Sequence, residues 1–274
     1  MRKRWILGVV GVLSLFLAGC GGGSSGPPPP PPVTGPGLVG LDDTSDTTAP
    51  LLTVTYTVPG TPGSFTVKIL SDLASDGDIA YDPVLRSYFV TKGPPTVLFG
   101  IDSLDIDLPE YRAFLTFPLD GSTGQPIVPS DAIILNADVI VFVDFLDFAS
   151  AVPTFVDMVE YPFRDLGAGN PALDFDQVPL ALGPAFDFFG SDVGNFVGFN
   201  VTSLMQTAQL PPALLDLQLR FSRDMSVPPL SASSPSRSSG RTVVAPTRAM
   251  DGIVARSTAA EKPLSPEALA ARRR

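Results

Sequence analysis

Leu215-Asp216-Leu217-Gln218-Leu219-Arg220-Phe221 alternates apolar and polar side chains without a break, the period-two signature of a strand with one buried face. This reading puts Leu215, Leu217, Leu219 and Phe221 in a core and leaves Asp216, Gln218 and Arg220 on a wet face. Upstream, residues 133–145 repeat the pattern, with Ala137, Val139, Val141, Val143 and Phe145 on one face and Asp138 and Asp144 on the other. Residues 112–119 place Leu115, Phe117 and Leu119 together, and Pro118 marks an edge or a strand end. Residues 52–58 and 64–70 are β-branched or aromatic runs joined through Pro59-Gly60-Thr61-Pro62-Gly63, a hairpin with a longer loop. Residues 87–92 and 96–99 flank Gly93-Pro94-Pro95 in the same manner, and 155–161 and 195–201 read as further strands. Thr202 is positioned to cap a short helix running through Gln209. Residues 162–194 are rich in Phe, Asp, Pro and Gly and read as a loop with one or two short strands that the pattern does not place. Many short alternating strands and a single convincing helix predict an all-β, two-sheet β-sandwich.

The chain divides by composition. Met1-Arg2-Lys3-Arg4, the uncharged stretch 5–17 and Leu17-Ala18-Gly19-Cys20 form a basic, an apolar and a small-residue region in the order of a secretory signal. The apolar stretch falls short of the roughly 20 residues a membrane-spanning helix needs. Leu17-Ala18-Gly19-Cys20 resembles the lipobox of bacterial lipoproteins. The resemblance implies cleavage between Gly19 and Cys20 and acylation of the Cys20 thiol. Gly21 in place of an aspartate after the cysteine is compatible, by analogy with lipoprotein sorting, with export to an outer membrane. Residues 21–32, GGGSSGPPPPPP, read as a flexible joint followed by a polyproline spacer. The expected organisation is a signal peptide (1–19), a lipidated cysteine with a Gly/Ser/Pro-rich linker (20–50), a β-sandwich module (51–221) and a basic Ser/Pro/Ala/Arg-rich tail expected to be disordered (222–274).

Within the module, Asp76-Gly77-Asp78-Ile79, Val97-Leu98-Phe99-Gly100, Arg112-Ala113-Phe114-Leu115-Thr116-Phe117, the run 133–143, then 196–204 and Leu217-Gln218-Leu219-Arg220-Phe221 follow one another in a recognisable order. That order resembles the DNRLRE-type, carbohydrate-binding-module-like jelly rolls, in which an arginine opens a strand of the R-x-F-L-x-F kind. The resemblance implies a jelly-roll fold and a glycan-binding role.

Charge and absent residue types narrow the chemistry. Residues 33–221 carry six basic and 24 acidic residues, net −18, whereas 222–274 carry nine basic and four acidic, net +5. An acidic module argues against nucleic acid as a partner. The chain holds no histidine and one cysteine, which removes Ser-His-Asp and Cys-His catalysis, histidine-based metal sites and disulfides. Paired carboxylates are the remaining route to catalysis, and no pair stands out, so no catalytic residue is assigned. Asp76 and Asp78 are the candidate ligands for a structural calcium ion, with turn-capping as the competing role. Tyr81, Tyr88, Tyr111 and Tyr161 are the candidate aromatic platforms for glycan. The expectation is a non-catalytic envelope lipoprotein, lipid-anchored in a cell or outer membrane and facing the periplasm or exterior, with a glycan or an envelope protein as partner. A carboxylate-only polysaccharide hydrolase is the alternative. Oligomeric state is not read from the sequence.

Overall fold

The computed structural model describes residues 36–44, 47–223 and 241–244; for the last four it describes the backbone alone. The residues expected to form the signal and to carry the lipid, Gly19 and Cys20 among them, lie outside the described residues. The strands are β1 (Leu38–Asp42), β2 (Leu51–Thr57), β3 (Phe65–Leu70), β4 (Gly77–Asp82), β5 (Ser87–Lys92), β6 (Thr96–Ile101) and β7 (Glu110–Pro118). They continue with β8 (Ile133–Asp147), β9 (Ala151–Val159), β10 (Ala181–Phe189), β11 (Phe196–Asn200), β12 (Asp216–Arg223) and β13 (Arg241–Val244). Among the described residues there are two short α-helices, α1 (Pro171–Asp176) and α2 (Thr202–Ala208).

All pairings are antiparallel and form one curled sheet in the order β10-β9-β12-β7-β6-β1-β8-β11-β13, with β4 and β5 added at β7 and β2 and β3 added at β8. The result is an all-β, sandwich-like fold. Its curl follows from shared strand edges. β8 pairs with β2 over its first half and with β1 near its end, while β6 joins β7 only at Glu110 and Tyr111. The β1–β6 pair therefore bridges the two layers.

Side chains from both layers meet in one core. Phe99 packs on Phe188 and Phe221 at ring-centroid distances of 5.5 and 5.7 Å, and Phe186 stacks on Phe199 at 5.0 Å. The buried face of β8 is the one its alternation marks: Ala137, Val139, Val141 and Val143 are fully enclosed. In β12 the core takes Leu217, Leu219 and Phe221, whereas Leu215 lies before the strand and is exposed.

Several expectations are corrected. The linker expected through residue 50 ends sooner, because Leu38–Asp42 is a strand whose Val39 and Leu41 are fully buried. Just before it, Gly37 adopts φ +87 against Val152, where a Cβ would come within 2.4 Å of a methyl group. At the other boundary, β12 runs to Arg223, and Arg241–Val244, in a region expected to be disordered, pairs with β11. The strands flanking Gly93-Pro94-Pro95 do not form a hairpin: β5 pairs with β4, and β6 with β1 and β7. Thr202 is the first residue of α2 rather than its cap, and its hydroxyl accepts a hydrogen bond from the Ala137 amide at 2.8 Å.

The face of β12 expected to be wet is covered. Residues 161–177 cross the outer side of the sheet and bury Gln218 and Arg220. Arg220 donates to the carbonyls of Phe175 and Gln177 at 3.0 and 2.8 Å and pairs with Asp157 at 3.4 Å. Arg112 stacks 3.8 Å over the Phe175 ring and also donates to the Phe175 carbonyl. The covering segment thus supplies backbone acceptors to two arginines, which offsets part of the cost of burying their charge.

Leu41→Ala tests whether β1 belongs to the core. A buried leucine truncation costs about 2–5 kcal/mol, so urea unfolding should show a loss of that order; a change within about 0.5 kcal/mol is what a surface or linker residue gives.

Candidate functional site

Residues 159–164 build the site from a single anchor. The Tyr161 amide donates to the Gln218 side chain at 2.7 Å, and its ring packs edge-on against Phe114. Its hydroxyl pairs with Thr116 and reaches the Ser75 carbonyl at 3.3 Å. Pro162 then turns the chain, and Phe163 and Arg164 both take positive φ, +59 and +55. Two successive bulky residues in the left-handed region cost on the order of 1 kcal/mol or more each, and such strain persists only where surrounding contacts impose it.

The contacts that impose it are ionic. Arg164 Nη2 lies 2.9 Å from Asp120 and 2.6 Å from Asp216, and Nη1 donates to the Ser122 hydroxyl at 2.5 Å. Ser122 in turn donates to Asp120 through both hydroxyl and amide, at 2.6 and 3.0 Å. Burial acts to raise the Asp120 carboxyl, but the two Ser122 hydrogen bonds and the Arg164 guanidinium outweigh it and hold Asp120 below its ordinary value. At Asp216 burial prevails over Arg164, and its carboxyl sits above the ordinary value. The two carboxylates raise Arg164 in spite of the desolvation opposing them. The guanidinium therefore stays charged and locks residues 162–164 onto the start of β12 and the β7–β8 loop.

Around this lock opens a cleft of about 580 Å³. Asp120, Glu160, Arg164 and Asp216 line it, the loop 212–215 forms one wall, and Phe163 stands at the rim with 97% of its surface exposed. The cleft lies at the end of β9 opposite the point where the chain joins the fold. Ala151 and Val152 begin β9 beside Gly37, and Val159 ends it at the cleft. Nine residues of strand separate these ends by about 26 Å.

The residues expected from the sequence fall elsewhere. Tyr161 is buried in the core, and Tyr81 and Tyr88 pack on Phe175, half-buried. Tyr111 is half-buried at the opposite end of β7. Asp76 and Asp78 are both buried, but they address different neighbours. Asp76 accepts the Thr116 amide at 2.6 Å beside Asp43, and burial followed by the Asp43 charge raises its carboxyl well above the ordinary value. Asp78 accepts the Leu98 amide at 3.2 Å, and burial pushes its carboxyl up to about 6. Among the described residues no three His, Cys, Asp or Glu side chains group as a metal site. Asp120 and Arg164 carried no sequence signal, since neither belongs to an alternating run. Phe163 was hidden in a stretch without periodicity.

Comparison with protein-family models, with curated proteins and with solved structures finds no match to this chain.

Asp78 gives a pH-dependent prediction. Its folded value of about 6 lies above the unfolded one, so the native state binds the proton more tightly. The contribution to stability is full below about pH 4 and is lost as pH rises through 6. Asp78→Asn keeps an acceptor for the Leu98 amide and removes the ionisation. Relative to the unsubstituted chain it should gain about 2 kcal/mol between pH 4 and pH 7.5, read from urea unfolding at both values.

Proposed function

We propose that this chain is a lipid-anchored protein of the cell envelope whose β-sandwich displays a non-catalytic, glycan-binding cleft at its far end. The observation that carries the reading is Phe163, held out of a strained turn beside Arg164, Asp120, Glu160 and Asp216 in one cleft. A sugar ring presents an apolar CH face and a fringe of hydroxyls. An exposed aromatic face beside fixed carboxylate and guanidinium groups offers a counterpart to both. With three acidic side chains and one basic at the cleft, a neutral sugar fits better than an anionic polymer.

The anchor reading rests on Leu17-Ala18-Gly19-Cys20. The order of segments that resembles DNRLRE-type jelly rolls supports the glycan reading from a separate side.

A hydrolase is the second reading, favoured by the closeness of Asp120 and Asp216, which touch the same nitrogen of Arg164. Retaining glycosidases hold two carboxyls about 5–5.5 Å apart. Here one guanidinium nitrogen binds both, which leaves neither of these two carboxyls free to protonate a leaving group.

Binding of the detergent-solubilised full chain to a glycan array, followed by a reducing-sugar assay on every retained glycan, tests these readings. Retention without turnover is expected, with Phe163→Ala weakening binding about tenfold or more, the order of 1–2 kcal/mol for a stacking contact. Turnover that disappears in Asp120→Asn or Asp216→Asn establishes the hydrolase; no retained glycan overturns both.

Cys20→Ser should abolish incorporation of labelled fatty acid and release the protein from the detergent phase. Unchanged membrane fractionation of that variant overturns the anchor.

A further inference from the structure

The end of the sandwich where the chain enters carries a set of exposed aliphatic side chains. The loop between β6 and β7 reads Asp102-Ser103-Leu104-Asp105-Ile106-Asp107-Leu108-Pro109, and its Leu104, Ile106 and Leu108 face solvent, Ile106 at 92% exposure. The turn after β4 adds Val84 and Leu85, also exposed. These two loops are neighbours, since Tyr81 near the end of β4 pairs with Glu110 at the start of β7. β1 begins at the same end, where Leu38 pairs with Gly100 near the end of β6.

We infer that this end, through Leu104, Ile106, Leu108, Val84 and Leu85, docks on the surface of a zwitterionic lipid bilayer. The inference rests on the Cys20 anchor proposed above. Residues 21–37 separate that cysteine from β1, and a chain of that length reaches at most roughly 60 Å. Within that reach the loops meet the bilayer at high effective concentration, so weak individual insertion energies suffice.

The chemistry of the tips selects lipid over protein. Their apolar side chains are wholly aliphatic, without the aromatic residues that dominate protein hot spots, and the exposed Arg86 beside Leu85 suits a headgroup phosphate. Three backbone amides are satisfied inside the loop: the Leu104 amide donates to Asp102 at 2.9 Å, the Asp107 amide to Asp105 at 3.0 Å, and the Leu108 amide to the Asp105 carbonyl at 3.1 Å. Asp102, Asp105 and Asp107 repel an anionic surface and so select neutral or zwitterionic headgroups. Docking in this way turns the cleft at Phe163 away from the membrane.

The test uses the lipidated full chain carrying Ile106→Cys as its one free thiol, labelled with an environment-sensitive fluorophore, on phosphatidylcholine vesicles containing a doxyl-labelled quencher lipid. Leu182→Cys is the control, because Leu182 is 78% exposed on β10 in the other half of the sheet. A severalfold rise in fluorescence in quencher-free vesicles, and quenching by the doxyl lipid, are expected at 106 and not at 182, with a smaller response on vesicles rich in phosphatidylglycerol. A probe at 106 that stays as accessible to aqueous iodide as the one at 182 overturns the docking. So does a probe that becomes dry only in native envelopes, since a protein then covers the loop. If the chain does not sediment with vesicles, the anchor reading has failed; raising lipid to millimolar and reading the same probe then decides the docking by itself.

Discussion

Five phenylalanines hold the two layers of this sandwich together. Phe99 comes from the bridging strand, Phe186 and Phe188 from β10, Phe199 from β11 and Phe221 from β12, with ring centroids 5.0–5.7 Å apart along the chain of contacts. A chain with a single cysteine has no internal disulfide to staple the fold, so the cohesion comes from buried apolar area and from the edge-on and offset geometries that aromatic rings prefer. Everything at the two ends of the sandwich is positioned by strands whose inner faces this cluster fixes.

The outer side of the sheet is held by a different kind of contact. Residues 161–177 carry a small apolar core of their own, with Tyr161, Leu166 and Phe175 against Ile79, Phe114 and Val159. Their carbonyls receive Arg112 and Arg220. Arg220 is buried enough that desolvation, followed by repulsion from Arg112, lowers its pKa, against the opposing pull of Asp157. Removing one partner from such a network leaves a buried charge unpaired, which costs more than the pair contributes. The cleft inherits its rigidity from this arrangement, because Tyr161 lies two residues past the end of β9 and starts the turn that exposes Phe163.

The two ends of the molecule have opposite characters that suit opposite neighbours. One collects aliphatic tips and the start of the folded chain; the other joins an exposed aromatic to a fixed ionic lock. On the proposed reading, such a division leaves the binding face free of the contacts that hold the protein in place. The strain at Phe163 and Arg164 fits that division, since the ionic lock offsets a conformation the chain would otherwise abandon.

Alternation by itself determined that the fold is all-β and which faces of β8 and β12 supply the core, because period-two patterning reports directly on which side of a strand is dry. The missing histidines and the single cysteine excluded whole classes of chemistry for the same direct reason: no arrangement supplies a group the chain lacks. Only the tertiary structure decided that Gln218 and Arg220 are buried, that β1 belongs to the sheet, that Asp76 and Asp78 serve separate backbone amides, and that Asp120, Arg164 and Asp216 meet. Each of those facts depends on segments far apart in sequence coming together. A strand's own pattern distinguishes its two faces, yet it does not say which other segment will cover the second one, or whose carboxylate will wait there.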